Sequence, residues 1–199
     1  MFLLLLIAIG CNREVWIEQQ ETTVQIYEVI DTTRITPAIQ ENTESPQRRM
    51  ELWVWTGAYT GYGSERPLLF MAHGGGGHPE KFDAFATEIA NQGVVVAAVA
   101  FPLTNQYAPV DIVYGVVDVA NQPGDVTASL DWLLEAVSNR KHELYGQFSD
   151  VQLAYLGHSL GGQTGLALSR YSCCFENRFQ AWILAAPFTY LNDTLFPDH

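Results

Sequence analysis

The stretch that decides the fold is VQLAYLGHSLGGQTGLAL, residues 151–168. Its apolar start, Val151–Leu156, predicts a strand, and the small residues at Gly162–Arg170 predict a helix. Between them, Gly157–Gly161 forms a G-x-S-x-G pattern centred on Ser159. A strand, a sharp turn and a helix are the context in which this pattern exposes a nucleophilic serine between two glycines. We therefore predict that Ser159 is a nucleophile; the alternative is an inert serine in a glycine-rich turn.

A second glycine-rich segment, His73–Gly77, reads HGGGG and follows the apolar run Leu68–Ala72, which predicts a buried strand. Acyl transfer requires backbone N–H groups aimed at the developing oxyanion. We predict that Leu160, which follows the nucleophile, and Gly75 supply these two donors. The segment has neither the lysine of a G-x-x-x-x-G-K-[ST] loop nor the spacing of G-x-G-x-x-G, which disfavours nucleotide binding.

A serine nucleophile also needs a histidine that takes its proton and a carboxylate that orients that histidine. The four histidines before the C-terminal residue are predicted to have structural or surface positions. His73 braces the glycine loop and His78 caps it. His158 lies inside the turn and points away from the partners of the serine, and His142 is exposed. In the usual chain order, the acid and the histidine both follow the serine. Among the residues after Ser159, Asp193 and His199 are an alternative pair. We expect the acid and the base beyond the chain end, in a C-terminally truncated and nearly inactive fragment.

Apolar and amphipathic runs predict further elements on both sides of these motifs. They are strands at Val24–Ile30, Met50–Trp55, Val94–Phe101 and Arg178–Ala186, helices at Glu80–Asn91 and Gly124–Asn139, and a long loop at Pro102–Pro123. Alternating strands and helices predict an α/β fold with a mostly parallel sheet and helices on both faces. Its site should lie beyond the carboxyl ends of the strands, where both glycine motifs fall. The long loop should border that site, with Tyr107 and Tyr114 as wall residues or as simple packing.

Length and charge limit the class of protein. The 199 residues suffice for one sizeable domain, and 48% of them are hydrophobic. The formal charge is −12, from 10 basic and 22 acidic residues, which argues against nucleic acid as a partner. We divide the chain into a signal segment at 1–10, a polar tether or edge segment at 11–47, and an α/β domain at 48–199 that is incomplete at its C-terminus.

The N-terminus predicts export. The apolar run Phe2–Ile9 is too short to span a bilayer as a helix, and it ends in Ala8-Ile9-Gly10-Cys11. This ending resembles a bacterial lipoprotein signal with Cys11 as the lipidated residue; the alternative is a plain secretory signal with an incidental cysteine. We expect a periplasmic or extracellular protein, anchored to the membrane through Cys11. The adjacent Cys173 and Cys174 are expected to remain two half-buried thiols, and no metal-ligand spacing accompanies them.

Taken together, the motifs resemble those of bacterial α/β-hydrolase serine esterases. The branch to which the chain is most similar includes PET hydrolase and cutinase-like, platelet-activating-factor acetylhydrolase-like and chlorophyllase-like enzymes. The matching pieces are LLFMAHGGGG at Leu68–Gly77, IANQGVVVAAVAFP at Ile89–Pro102, GDVTASLDWLLE at Gly124–Glu135, GHSLGG at Gly157–Gly162 and FQAWILAAP at Phe179–Pro187.

This resemblance covers the N-terminal two-thirds of the family domain. It implies an α/β-hydrolase fold, Ser159 as nucleophile, Gly75 and Leu160 as oxyanion donors, and a small-molecule or polymer ester as substrate. It implies no metal or organic cofactor. An acyltransferase or peptidase on the same fold, and a non-catalytic surface lipoprotein, are the alternatives.

Overall fold

The structure is a computed structural model, and it describes residues 21–40, 42–57, 66–150 and 152–187. Within these ranges the chain forms a six-stranded sheet with the order β1-β2-β4-β3-β5-β6. The strands are β1 Thr23–Asp31, β2 Arg48–Thr56, β3 Leu68–Ala72, β4 Val95–Ala100, β5 Leu153–His158 and β6 Ala181–Ala185. The pairings of β2 with β1 and with β4 are antiparallel, and the other three pairings are parallel. The predicted mostly parallel sheet is therefore confirmed.

Helices connect the parallel strands and cover both faces of the sheet. They are α1 Asp83–Asn91, α2 Ile112–Gly115, α3 Gln122–Ser138 and α4 Leu160–Arg170. Side chains of successive strand residues point to opposite faces. Phe70 of β3 accordingly packs in a buried cluster with Leu130 of α3 and Leu168 of α4. The next residue, Met71, packs on the other face with Ala86 of α1.

The strands in the middle of the sheet carry the amino acids that a doubly covered sheet requires. All six residues of β4, VVAAVA, are buried, and four of the five residues of β3 are buried. An unbroken apolar run has no solvent-facing side, so it is stable only between two layers of helices. The carboxyl ends of β3 and β5, which are neighbours in the sheet, therefore meet at one edge beneath the two glycine motifs.

A buried ion cluster fastens the antiparallel strands to the helical layer. The guanidinium of Arg48, at the start of β2, donates to both carboxylate oxygens of Asp125 at 2.7 Å and to those of Asp118 at 3.1 and 2.8 Å. Arg34 adds a second cation 2.9 Å from Asp125. The side chains of Arg48, Asp118 and Asp125 are fully buried. Burial by itself lowers the pKa of Arg48, but the pairing with Asp125 and Asp118 outweighs it. The pKa of Arg48 is therefore raised above its ordinary value.

The loop expected at Pro102–Pro123 is largely helical, which corrects the sequence interpretation. It contains α2 and a 3-10 helix at Val116–Asn121, and α3 begins at Gln122 rather than at Gly124. Asp111 caps α2 by accepting a hydrogen bond from the N–H of Val113 at 2.9 Å. A helix of four residues is too short to produce a helical period in the sequence, so the pattern could not indicate it.

The two adjacent cysteines are also placed differently from the expectation of free thiols. Cys173 and Cys174 form a disulfide, with their Cα atoms 3.8 Å apart. The chain leaves α4 through a turn in which the N–H of Cys174 donates to the carbonyl of Tyr171 at 3.0 Å. This turn brings the two sulfur atoms together although the Cα separation is below the range usual for disulfides.

Candidate active site

Ser159 has a backbone conformation that serine rarely adopts. Its φ of 53° and ψ of −115° lie outside the regions favoured by residues with a side chain. The conformation is fixed by two hydrogen bonds: the N–H of Ser159 donates to the carbonyl of Ala185 in β6 at 2.8 Å, and the N–H of Gln163 donates to the carbonyl of Ser159 at 3.0 Å. Strain of this kind persists where the surrounding structure enforces it, and it is concentrated at functional sites.

The glycines on either side of Ser159 are required by close packing. A Cβ on Gly157 would lie 2.2 Å from the carbonyl oxygen of Gly161. A Cβ on Gly161 would lie 2.3 Å from the carbonyl oxygen of Ala72, at the end of β3. The first turn of α4 therefore lies directly against β3 and the start of the glycine loop. The buried hydroxyl of Tyr155 donates to the carbonyl of Gly161 at 2.7 Å and supports this turn from below.

The glycine loop after β3 reaches Ser159. A Cβ on Gly74 would lie 2.9 Å from the Cβ of Ser159, so the two segments are in contact. Gly74 to Gly77 form a turn in which the N–H of Gly77 donates to the carbonyl of Gly74 at 2.9 Å. Gly76 has a φ of +66°, which favours glycine. Its N–H donates to the carbonyl of Thr104 at 2.8 Å, which ties the loop to the segment after β4.

The two predicted oxyanion donors are neighbours in space. A Cβ on Gly75 would lie 3.0 Å from Cδ1 of Leu160, so the loop residue and the residue after Ser159 are in contact. Leu160 is the first residue of α4, where backbone N–H groups have no acceptor within the helix. Such N–H groups also carry the positive end of the helix dipole. Leu160 and Gly75 are thus close in space beside Ser159, as two donors to a single oxyanion must be.

A buried polar chain, which the sequence patterns did not reveal, links these two elements. The side-chain amide of Gln122 donates to the hydroxyl of Thr104 at 2.7 Å, and its carbonyl accepts from the hydroxyl of Thr164. The Thr164 hydroxyl also lies 3.0 Å from the carbonyl oxygen of Leu160. All three side chains are fully buried. Because Thr104 also binds Gly76, the chain runs from the glycine loop to the first turn of α4.

His73 braces the glycine loop, as the sequence analysis predicts. Its Nε2 accepts a hydrogen bond from the N–H of Phe101 at 3.1 Å, so Nδ1 carries the proton and donates to the carbonyl of Gly74 at 2.7 Å. The side chain is 2% exposed, and burial lowers its pKa from 6.5 to about 4. Both ring nitrogens are therefore engaged, and His73 has no free lone pair for the Ser159 proton.

Two of the other histidines are placed differently from the sequence expectation. His158 is exposed and lines the cavity beside Ser159, instead of having a structural position inside the turn. His142 is half-buried, with its ring centroid 5.3 Å from that of Trp132, instead of exposed. His78 is the N-cap of the 3-10 helix at Pro79–Phe82, where it accepts a hydrogen bond from the N–H of Glu80 at 3.3 Å, which confirms its capping position.

A cavity of about 310 Å³ opens over Ser159. It is lined by His73–His78, Lys81, Phe82, His158 and Ser159. Its volume is at the lower end of the range for small-molecule sites. Neither tyrosine predicted as a wall residue lines it: the hydroxyl of Tyr107 donates to Glu80 at 2.7 Å beside a neighbouring pocket, and Tyr114 is exposed on α2.

The described ranges contain no complete set of catalytic partners for Ser159. No histidine or carboxylate in them hydrogen-bonds its hydroxyl, and no group of three or more His, Cys, Asp or Glu in them could hold a metal ion. None of their helices has the length and apolar character needed to cross a membrane. The predictions for the segment 1–10, Cys11, Asp193 and His199 concern residues outside the described ranges.

The described architecture is that of known hydrolases. No protein-family model matches the chain, and no curated protein matches its sequence. A ferulic acid esterase from Streptomyces cinnamoneus matches with a TM-score of 0.56 and 16% identity, over 80% of this chain and 57% of that one. The acylaminoacyl peptidase of Pyrococcus horikoshii gives 0.54 and 16%, over 91% and 26%, and the esterase Est22 gives 0.52 and 18%, over 84% and 44%.

These comparisons define the architecture but not the substrate. At 16–18% identity they show the fold alone, and the named enzymes include both esterases and a peptidase. The chain spans about half or less of the length of these proteins. What they do establish is the arrangement of strands and helices around Ser159: the chain has the α/β-hydrolase fold.

Proposed function

We propose that the chain is the nucleophile-bearing part of a serine hydrolase that cleaves carboxylic esters through an acyl-enzyme on Ser159. The observation that carries the proposal is the enforced backbone of Ser159, with φ 53° and ψ −115°, in contact with the glycine loop at Gly74. A strained serine between β5 and α4 is what a nucleophile elbow requires. The resemblance to PET hydrolase and related esterases supports ester rather than amide bonds as the substrate.

In the proposed reaction the Ser159 oxygen adds to the ester carbonyl. The N–H groups of Leu160 and Gly75 stabilise the oxyanion, and the alcohol leaves with the proton that the serine gave up. Water then cleaves the acyl-enzyme and releases the carboxylic acid. The reaction needs a histidine and a carboxylate, and we assign both to residues outside the described ranges because His73 is fully engaged. The mechanism uses no metal or organic cofactor.

A substrate panel tests this proposal on the protein expressed from its whole reading frame. We expect turnover of p-nitrophenyl acetate and butyrate, and none in the Ser159→Ala variant. Turnover of peptides or transfer to acceptor alcohols in place of ester hydrolysis would favour a peptidase or an acyltransferase. Turnover of none of them would favour a non-catalytic lipoprotein.

We further propose that the protein is exported and anchored to the membrane through a lipid on Cys11. The support is the apolar run before Cys11 and the small residues next to it. Metabolic labelling with palmitate tests this in a bacterial host. We expect labelled protein in the membrane fraction, and loss of the label in Cys11→Ala. Label-free protein in the medium would instead indicate a plain secretory signal.

A further inference from the structure

We infer that the exposed apolar side chains of α2 and the residues after it bind the apolar chain of the ester substrate. This apolar α2 surface consists of Ile112, Val113, Tyr114 and Val117. The inference rests on the proposed function, because it assigns a substrate class, esters with an aliphatic group longer than acetyl, to the site at Ser159.

The apolar α2 surface is held in a defined position. A Cβ on Gly115 would lie 2.1 Å from the carbonyl oxygen of Leu103, so α2 lies directly against the segment that follows β4. At the other end of α2, the N–H of Asp111 donates to the side chain of Gln40 at 2.7 Å. Contacts at both ends thus fix the direction in which the surface faces.

The surface borders the candidate oxyanion loop. A Cβ on Gly75 would lie 3.1 Å from Cδ1 of Ile112 and 3.0 Å from Cδ1 of Leu160. Gly75 is itself exposed, between these two apolar side chains. An ester whose carbonyl oxygen is bound by Gly75 and Leu160 would therefore extend one of its two substituents past Ile112. Through Ile112, the apolar α2 surface thus begins at Gly75, which also lines the cavity over Ser159.

Exposed apolar side chains are concentrated in this surface, where they occupy four of the six positions 112–117. The exposed fractions are 37% for Ile112, 72% for Val113, 55% for Tyr114 and 58% for Val117. The whole chain carries 22 acidic residues, yet the only charged residues in 107–121 are Asp111 and Asp118, and Asp118 is buried by Arg48. Exposed apolar side chains that are grouped rather than scattered singly indicate a binding site.

The size of the surface favours a small apolar group over a macromolecule. Four side chains on two short helical turns are far fewer than the roughly 20–30 residues that a stable protein interface uses on each side. An aliphatic chain of several carbons matches this extent. A membrane surface is the other occupant that apolar side chains of this kind could contact, and the experiment separates the two.

Ester binding without turnover gives the direct test. In the Ser159→Ala variant of the whole protein, the Kd values of p-nitrophenyl acetate, butyrate and hexanoate are measured by quenching of tryptophan fluorescence. We expect binding to tighten by up to about fourfold for each added methylene, as burial of a methylene predicts. Replacing Ile112 by Ser, or independently Val117 by Ser, should flatten this dependence.

Ile26→Ser is the matched control, because Ile26 is a 51% exposed isoleucine on the edge strand β1. It should retain the full dependence on chain length. The inference is overturned if the esters do not bind, or if both α2 variants keep the slope of the control. A membrane surface is tested by sedimentation of the protein with phosphatidylcholine vesicles. If Ile112→Ser and Val117→Ser abolish this sedimentation but leave the dependence of ester binding on chain length unchanged, the surface binds lipid and the inference is overturned. Failure of the proposed function gives a different result: the protein with Ser159 intact would not hydrolyse the esters.

Discussion

The turn around Ser159 and the ion cluster around Arg48 both lie against the central sheet, but they differ in backbone strain and in how their polar groups are paired. In the ion cluster each guanidinium nitrogen of Arg48 has a carboxylate partner between 2.7 and 3.1 Å away. The turn instead holds Ser159 at a positive φ, beside first-turn N–H groups that have no acceptor within α4. The first region has the satisfied polar groups of a structural element, and the second has the strain and the free donors of a reactive site.

The two regions should differ most in their contribution to catalytic activity. Ser159→Ala should lower kcat/KM for p-nitrophenyl butyrate by about 10⁴-fold or more, because the nucleophile is removed. The free energy of unfolding should change by less than about 1 kcal/mol, since alanine fills the same space. Ser169→Ala, on the same helix, is the control and should keep full activity. Equal activity in the two variants would show that the turn is not reactive.

The next effect concerns stability alone. Arg48→Met should lower the free energy of unfolding by about 3–5 kcal/mol, because it leaves Asp118 and Asp125 as buried carboxylates without their main partner. Urea denaturation followed by circular dichroism measures this change. The kcat of the protein that remains folded should stay within about twofold of the original. A loss below about 1 kcal/mol would mean that the cluster does not fasten β2 to α3.

His73 provides a pH-dependent effect of intermediate size. Burial keeps it neutral in the folded protein down to about pH 4, whereas its unfolded pKa is 6.5. The unfolded chain therefore binds the extra proton in this window, so stability is fully present above pH 6.5 and falls as the pH falls toward 4. At about 1.4 kcal/mol per pKa unit, the loss from this group is about 3 kcal/mol. Urea denaturation at several pH values should show that His73→Gln removes this part of the pH dependence. An unchanged profile would contradict the bracing role.

The smallest effect tests the packing of the turn. Gly161→Ala should destabilise the protein by about 1–3 kcal/mol, because the new methyl group overlaps the carbonyl of Ala72. It should also lower kcat, since α4 must move away from the glycine loop. Gly146→Ala is the control without overlap: no atom lies within 4 Å of its added Cβ, but its φ of +68° strains an alanine. It should be destabilised by strain alone and keep its kcat; a similar loss of kcat in both would remove the packing argument.

The sequence predicted those parts of the molecule whose signals are local. The strands β3 to β5, the glycine loop and the turn at Ser159 each carry a pattern within a few adjacent residues. The ion cluster joins residues 70 and 77 positions apart, so no window of sequence could show it. The four residues of α2 are too few for a helical period. The sequence could not indicate the partners of Gln122 either. Like those of Arg48, they are distant in sequence and are brought together only by the packing of α3.

The cysteine pair and His158 show a second limit. Cys173 and Cys174 were expected to stay apart on general geometric grounds, yet a turn after α4 joins them. His158 is predicted to have a structural position inside the turn, yet its side chain is exposed and lines the cavity beside Ser159. In both cases the side-chain direction depends on a local turn whose geometry the residue types do not determine.

The most direct test of the central claim is labelling with a fluorophosphonate probe, followed by mass-spectrometric mapping of the modified peptide. We predict that the protein expressed from its whole reading frame takes up one probe molecule, on Ser159, and that an excess of p-nitrophenyl butyrate slows the labelling. A protein that is not labelled, or that is labelled equally after Ser159→Ala, would contradict it.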